Sequence, residues 1–470
     1  MPAPRHPVII QGGMGVAVSS WQLAAAVSRT GQLGVVSGTA LDIVLARRLQ
    51  DGDPGGHLRR ALSAFPRPDV VEWLLARYFR HEGRLPGVGY APVPKLSLTG
   101  GRRARELTVV ANFVEVFLAK EGHGGLVGVN YLEKVQLATP FAVFGAMLAG
   151  VDYVLIGAGL PRDIPQLLDR LAAGRPGSTH VEVAGSADEH RLTVNPADWV
   201  PYGELRRPTF LAIISSDALA AYLARDDLTR PDGFVVEGPS AGGHNAPPRG
   251  RLVVDEAGEP VYGPRDQANI DRMVSLGLPF WLAGSYGTPE LLAGALAVGA
   301  AGIQAGTVFA LCDESGLTVD LRQGVLAGLE QGSVTVNTDV AASPTGFPFK
   351  VVSAPSLPSS AATQQHRERL CDLGVLRVPF QRPSGRIGYR CSGEPVDVFL
   401  GKGGTAEQAE GVACLCNGLT ANVGLAQTRP DGYVEPPLLT LGSDLDGVRR
   451  LVAEHSGGWS ATQVVEWLLG

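Results

Sequence analysis

Charge is scarce in this chain of 470 residues: Asp, Glu, Lys and Arg make up 18% of it, and the formal net charge is −6. Such a balance leaves no sequence-wide electrostatic footprint for nucleic acid or an anionic membrane, so a small-molecule substrate is the expectation. Cysteine is scarcer still. The five residues Cys312, Cys371, Cys391, Cys414 and Cys416 are too few for a disulfide scaffold, and their odd number fits a reducing compartment. Cys414 and Cys416 lack the Cys-x₂-Cys spacing and partner histidines of a zinc site, so buried structural thiols and no metal are expected. No apolar run reaches the length of a membrane span, and residues 1–11 lack the apolar core of a signal peptide, which makes the cytoplasm the expected location. Neither a Ser-His-Asp arrangement nor a nucleotide-fold fingerprint occurs, and Gly401-Lys-Gly-Gly404 is too short for a phosphate-binding P-loop.

What the chain does have is apolar residues (45%), 61 glycines and 34 prolines, the material of a large core with many tight turns. Eight short apolar runs stand out, at 7–11, 33–38, 127–133, 153–159, 209–216, 233–238, 279–285 and 302–309. Near-continuous apolarity marks strands buried on both faces, and the helical patterns at 20–29, 140–149, 164–172, 217–225, 267–276 and 289–298 alternate with them. The expected fold is therefore α/β, a (β/α)₈ TIM barrel over residues 1–316. Two insertions interrupt it, a helical one at 39–126 and a Pro/Gly-rich one at 175–208 with a hairpin near 180–194. From 317 to 470 the strand-helix rhythm stops, and an appended cap of mixed structure is expected, helical near 405–426 and 458–469.

The glycine loops carry the chemical signal. The seventh run ends in Leu282-Ala-Gly-Ser-Tyr-Gly287 and leads into a helix with Thr288 as N-cap and Pro289 at its first position. The eighth ends in Ala305-Gly306-Thr307. Loops after strands seven and eight of such barrels hold phosphate through bare backbone N–H groups, which nominates Gly284, Ser285, Gly287, Ala305, Gly306 and Thr307. After strand six, Glu237-Gly-Pro-Ser-Ala-Gly-Gly-His244 puts an imidazole at the catalytic mouth, with Gly242 and Gly243 letting a planar ring approach. A solvated loop histidine is the competing account. Asn130 can bond a flavin's polar edge or be a buried amide satisfied by backbone, and Lys134 can offset ring charge or form a surface ion pair with Glu133. Gly12, Gly13 and Met14 after strand one can lie along a ring or make a plain turn.

These segments resemble one family. Pro7-Val-Ile-Ile-Gln-Gly-Gly-Met14, Leu23-Ala-Ala-Ala-Val-Ser28 with Gly31 and Leu33-Gly34, Gly128-Val-Asn130, Ala241-Gly-Gly-His244, Ala283-Gly284 and 302–307 occur in the order seen in nitronate monooxygenases. The resemblance covers most of residues 5–312 and implies a barrel holding non-covalent FMN, with His244 as catalytic acid or base. It carries Met14, Asn130, Gly243, Gly284, Ser285, Gly306 and Thr307 onto flavin-contacting positions. Ser240 stands where the family commonly has an acidic residue, Ser285 where it has the second of two glycines, and Ala246 where a glycine is usual. The extension, with Arg390-Cys391, Cys414-Leu-Cys-Asn-Gly-Leu419 and Glu435-Pro-Pro437, is similar instead to the flavin enoyl reductases of polyketide and polyunsaturated fatty acid synthases. Two activities follow: oxidation of alkyl nitronates and nitroalkanes with O₂, or NAD(P)H-dependent reduction of an acyl-carrier-bound double bond with an acyl carrier protein as partner. A non-catalytic flavin-binding protein is the third reading, and a homodimer is left open.

Overall fold

Eight parallel strands close into a barrel in a computed structural model that describes residues 6–199, 205–355, 357, 367–455 and 457–470. They are β1 (Ile9–Gln11), β2 (Leu33–Ser37), β3 (Val127–Leu132), β4 (Tyr153–Gly157), β5 (Thr209–Ile214), β6 (Gly233–Glu237), β7 (Phe280–Ala283) and β8 (Gly302–Ala305). Each pairs with its neighbours in chain order, and β8 returns to β1 with Ile303 opposite Ile9. All eight apolar runs are strands, trimmed mostly where glycines and small residues carry the chain out of the ladder.

Side chains alternate across a strand, and here both faces are dry. One set, including Ile10, Val35, Leu155, Leu211, Val235 and Trp281, fills the barrel interior as a cluster of its own. The other, including Ile9, Val36, Val154, Phe210 and Phe280, meets the helices in the outer core. Each fully buried large apolar side chain in these layers contributes roughly 1.5–3 kcal/mol.

Helices return the chain from strand to strand. Pro289–Ala297 starts as its sequence dictates, with the Leu291 N–H donating to the Thr288 hydroxyl at 3.4 Å. The first insertion supplies Leu41–Gln50, His57–Ser63, Pro68–Tyr78 and the long, almost wholly buried Arg102–Lys120, which packs on Thr139–Leu148 and Trp21–Arg29. The second carries the expected hairpin, Gly177–His180 against Arg191–Val194. Helical alternation continues further than expected: Thr318 caps Val319–Glu330, whose buried face includes Leu321, Val325 and Leu329. Beyond it come two hairpins, Thr335–Asp339 with Phe349–Ser353 and Val378–Gln381 with Ile387–Arg390. The helical stretch expected at 405–426 is two short helices, Ala406–Ala409 and Leu415–Ala421, separated by a turn at Gly411 in the left-handed region. Asp446–Glu454 and Ala461–Leu469 pack back on the barrel helices, and the Trp459 indole N–H donates to the Val308 carbonyl at 2.9 Å. Among the described residues no helix is long and apolar enough to cross a membrane.

Candidate active site

The inward alternation of the strands continues past the dry layer to the C-terminal mouth. Two residues beyond Val235 stands Glu237, two beyond Leu211 stands Ile213, and Asn130 and Gln304 line the mouth from β3 and β8. These side chains, with Gly12 and Ser37, line a cavity of about 230 Å³. The Asn130 amide N–H donates to the Gly13 carbonyl at 3.4 Å, whereas Asn130 Oδ1 and Gln304 Oε1 are buried without a partner among the described residues. Buried amide oxygens are rarely left so, and on a cavity wall they are acceptors set toward a ligand's N–H or O–H groups.

Apart from Lys134, the residues nominated from the sequence reach this one cavity: Gly13 and Met14 after β1, Asn130 on β3, Gly242, Gly243 and His244 after β6, Gly284, Ser285 and Gly287 after β7, and Ala305, Gly306 and Thr307 at the end of β8. Their bareness serves different neighbours. A Cβ on Gly13 would collide with Asn130, and one on Gly306 would lie 3.3 Å from the Met14 sulfur, so both keep the floor open. Gly242 instead makes room for the backbone of Leu441, where a Cβ would come within 2.9 Å. Gly243 and Gly284 adopt φ of 79° and 80°, and Ser285 follows in the same left-handed region at 61°. There Ser285 Oγ donates to Ser240 Oγ at 2.6 Å, so the two serines that depart from the family pattern stabilise each other.

His244 meets the cavity half-buried, its ring edge-on to Phe349 with centroids 4.9 Å apart. Its Nε2 lies 2.7 Å from Ser343 Oγ. Burial lowers its pKa to about 4, so the imidazole is neutral at pH 7. The Glu237 carboxyl is enclosed by protein although part of its surface opens on the cavity, and desolvation pushes it up to about 8. Among the described residues, no lysine or arginine lines the cavity. A neutral base and a largely protonated acid therefore face a space without fixed positive charge.

Sequence reasoning missed the roof. The Gly243 N–H donates to Thr440 Oγ1 at 2.8 Å and its carbonyl accepts from the Lys350 N–H at 2.9 Å. Thr307 Oγ1 accepts from the Gly442 N–H at 2.9 Å, and Asn245 N–H donates to the Pro348 carbonyl at 2.9 Å. Residues 343–350 and 440–448 of the extension thus bind the loops after β6 and β8, and Leu441, Asp444, Gly447 and Val448 line the cavity. Glu237 and Gln304 were readable by carrying the two-residue period one step further. Lys134 does not reach the cavity: it lies 3.9 Å from Glu133 and over the Phe347 ring, because the chain turns away from the mouth at the end of β3. The cysteines are free thiols, buried except for the half-buried Cys371, and none lines the cavity.

Residues 178–342 match the model of the family described as nitronate monooxygenase. No curated protein matches. Among solved structures, FabK from Thermotoga maritima is 17% identical, covering 99% of this chain and 92% of that one with a TM-score of 0.48. A nitroalkane oxidase from Streptomyces ansochromogenes is 16% identical over 98% and 94%, with a TM-score of 0.44. The enoyl reductase domain of MlnA from the macrolactin biosynthesis cluster of Bacillus amyloliquefaciens is 12% identical over 76% and 66%, with a TM-score of 0.39. The matched segment includes His244 and the glycine loops after β6, β7 and β8, and with the nitronate monooxygenase resemblance so borne out, the chain is an enzyme of the flavin-dependent oxidoreductase class.

Proposed function

We propose that the cavity binds FMN and that the enzyme oxidises alkyl nitronates, and the nitroalkanes that give rise to them, with O₂. The residues present fit that cofactor: left-handed backbone at Gly243 and Gly284 and bare backbone at Gly306 admit a flat ring and a phosphate tail, and Asn130 Oδ1 and Gln304 Oε1, without a partner among the described residues, match ring N–H and ribityl O–H donors. Backbone N–H groups at Ser285, Gly287, Gly306 and Thr307 would hold the phosphate, since no cationic side chain among the described residues lines the cavity. When bound, FMN supplies the acceptor for substrate electrons and passes them to O₂.

The chain's own part is proton handling and exclusion of water. The observation that carries the reading is a neutral His244 lining the cavity, and its part is to take the carbon-bound proton of a nitroalkane. The roof from 440–448 closes the cavity over the β7 and β8 loops. Turnover of a nitronate by the FMN-loaded enzyme requires O₂ under this reading, so removing O₂ stops it.

One observation favours a second reading. The extension that roofs the cavity is the part similar to flavin enoyl reductases, and NAD(P)H would then be the reductant, with an acyl-carrier-bound enoyl group as substrate. Reduction of an enoyl thioester by NADPH under strict anaerobiosis, without nitronate turnover in air, would establish it and end the first.

A further inference from the structure

We infer that Ser343 and Thr345 form a proton relay that joins Nε2 of His244 to a second cavity behind the active site. The inference rests on His244 being the acid-base group. Ser343 comes from the extension, is buried, and stands between His244 Nε2 at 2.7 Å and Thr345 Oγ1 at 2.8 Å. Thr345 lines a separate cavity of about 270 Å³, bounded also by Lys134, Gln136, Glu182, Pro344 and Arg377. Nδ1 of His244 has no partner among the described residues, and His244 lines the active-site cavity.

The hydrogen bonds around Ser343 permit only two arrangements. A serine oxygen has one proton to give and two lone pairs. One lone pair accepts the Thr345 N–H at 3.2 Å. Ser343 therefore either accepts from Nε2–H and donates to Thr345 Oγ1, or accepts from the Thr345 hydroxyl and donates to Nε2. Thr345 Oγ1 itself accepts the Phe347 N–H at 3.3 Å, which fixes its place in the chain. The two arrangements differ by one proton moved along each link.

That difference is the transfer. The substrate C–H bond breaks and its proton joins Nδ1; the Nε2 proton passes to Ser343, the Ser343 proton to Thr345, and the Thr345 proton to water in the second cavity. The imidazole ends neutral in its other tautomer. Return of the Nδ1 proton to a basic product runs each link backwards and restores the start. A half-buried imidazole that resists carrying positive charge is suited to this exchange, because it need never hold both protons for long. The charged groups nearby are Glu237 and Asp444 on the active-site side and Lys134, Glu182 and Arg377 on the far side.

The test compares a neutral nitroalkane with its preformed nitronate in FMN-loaded Ser343→Ala, Thr345→Val and His244→Ala proteins. The relay predicts that Ser343→Ala and Thr345→Val each slow nitroalkane turnover about tenfold more than nitronate turnover. It also predicts that both diminish the solvent deuterium isotope effect on nitroalkane kcat, with the visible flavin spectrum retained. Thr345→Val keeps the Ser343 contact that orients His244, so loss in Ser343→Ala alone would mean positioning only and overturn the relay. Wild-type behaviour of both, with His244→Ala inactive, overturns the relay while the function stands. Full activity of His244→Ala overturns the reading beneath it.

Discussion

His244 and Glu237 face the same cavity with their pKa values moved in opposite directions by the same cause, the removal of water. For His244, lowered from 6.5 to about 4, the neutral base persists well into acid. The pH profile of kcat/KM with a nitroalkane should thus be flat from pH 7 to 5 and fall only near 4; an acid limb near 6.5 would show an imidazole in ordinary solvent. Linkage sets the sign for stability. Between pH 6.5 and 4 the unfolded chain takes up a proton that folded His244 refuses, so this group lowers stability as pH falls through that window. Folded Glu237 keeps a proton that the unfolded chain releases above about 4.5, so it lowers stability as pH rises from there to about 8. Glu237→Gln should remove the second dependence, seen as a smaller decline of Tm between pH 5 and 8. At this scale the sequence was informative about His244 because two glycines immediately precede it. It was silent about Ser343, whose partner lies 99 residues earlier in the chain.

Among the elements, the strands were legible and the roof was not, for one physical reason. A strand buried on both faces must be an unbroken apolar run, so β1 to β8 could be read directly. The segment Thr440-Leu-Gly-Ser-Asp-Leu-Asp-Gly447 has no period, because it is held by isolated hydrogen bonds: the Gly243 N–H to the Thr440 hydroxyl, the Gly442 N–H to the Thr307 hydroxyl, and Ser443 to the Ser240 carbonyl. Of the two readings of Lys134, the ion pair with Glu133 is the one the structure shows, and the choice was hard to make from sequence for a related reason: apolar runs show where a strand lies, not where the chain turns after it. The start of the Asp446–Glu454 helix sits against the β7 loop so closely that a Cβ on Gly447 would run into the Gly287 carbonyl oxygen. Gly447→Ala should therefore push this helix off the β7 loop and weaken FMN binding about tenfold or more, a cost of roughly 1.4 kcal/mol. Equilibrium dialysis against FMN measures it, and unchanged affinity would show that the roof does not bear on the cofactor.

Taken whole, the molecule is a barrel whose mouth is finished by its own C-terminal extension, which clasps the loops after β6 and β8 and sends Ala461–Leu469 back against the barrel helices. Bare glycine backbone and apolar and hydroxyl side chains line the reaction space together with two amide oxygens that lack a partner, one neutral imidazole and two carboxyl groups, and among the described residues neither lysine nor arginine joins them. Such a lining suits a cofactor that brings its own reactive ring and its own charge, and the α/β pattern foretold the barrel without foretelling this closure. Titration of the purified chain with FMN, followed in the visible, tests that claim most directly. The account predicts saturation at about one FMN per chain with a protein-perturbed yellow spectrum, and a colourless protein that takes up none would contradict it.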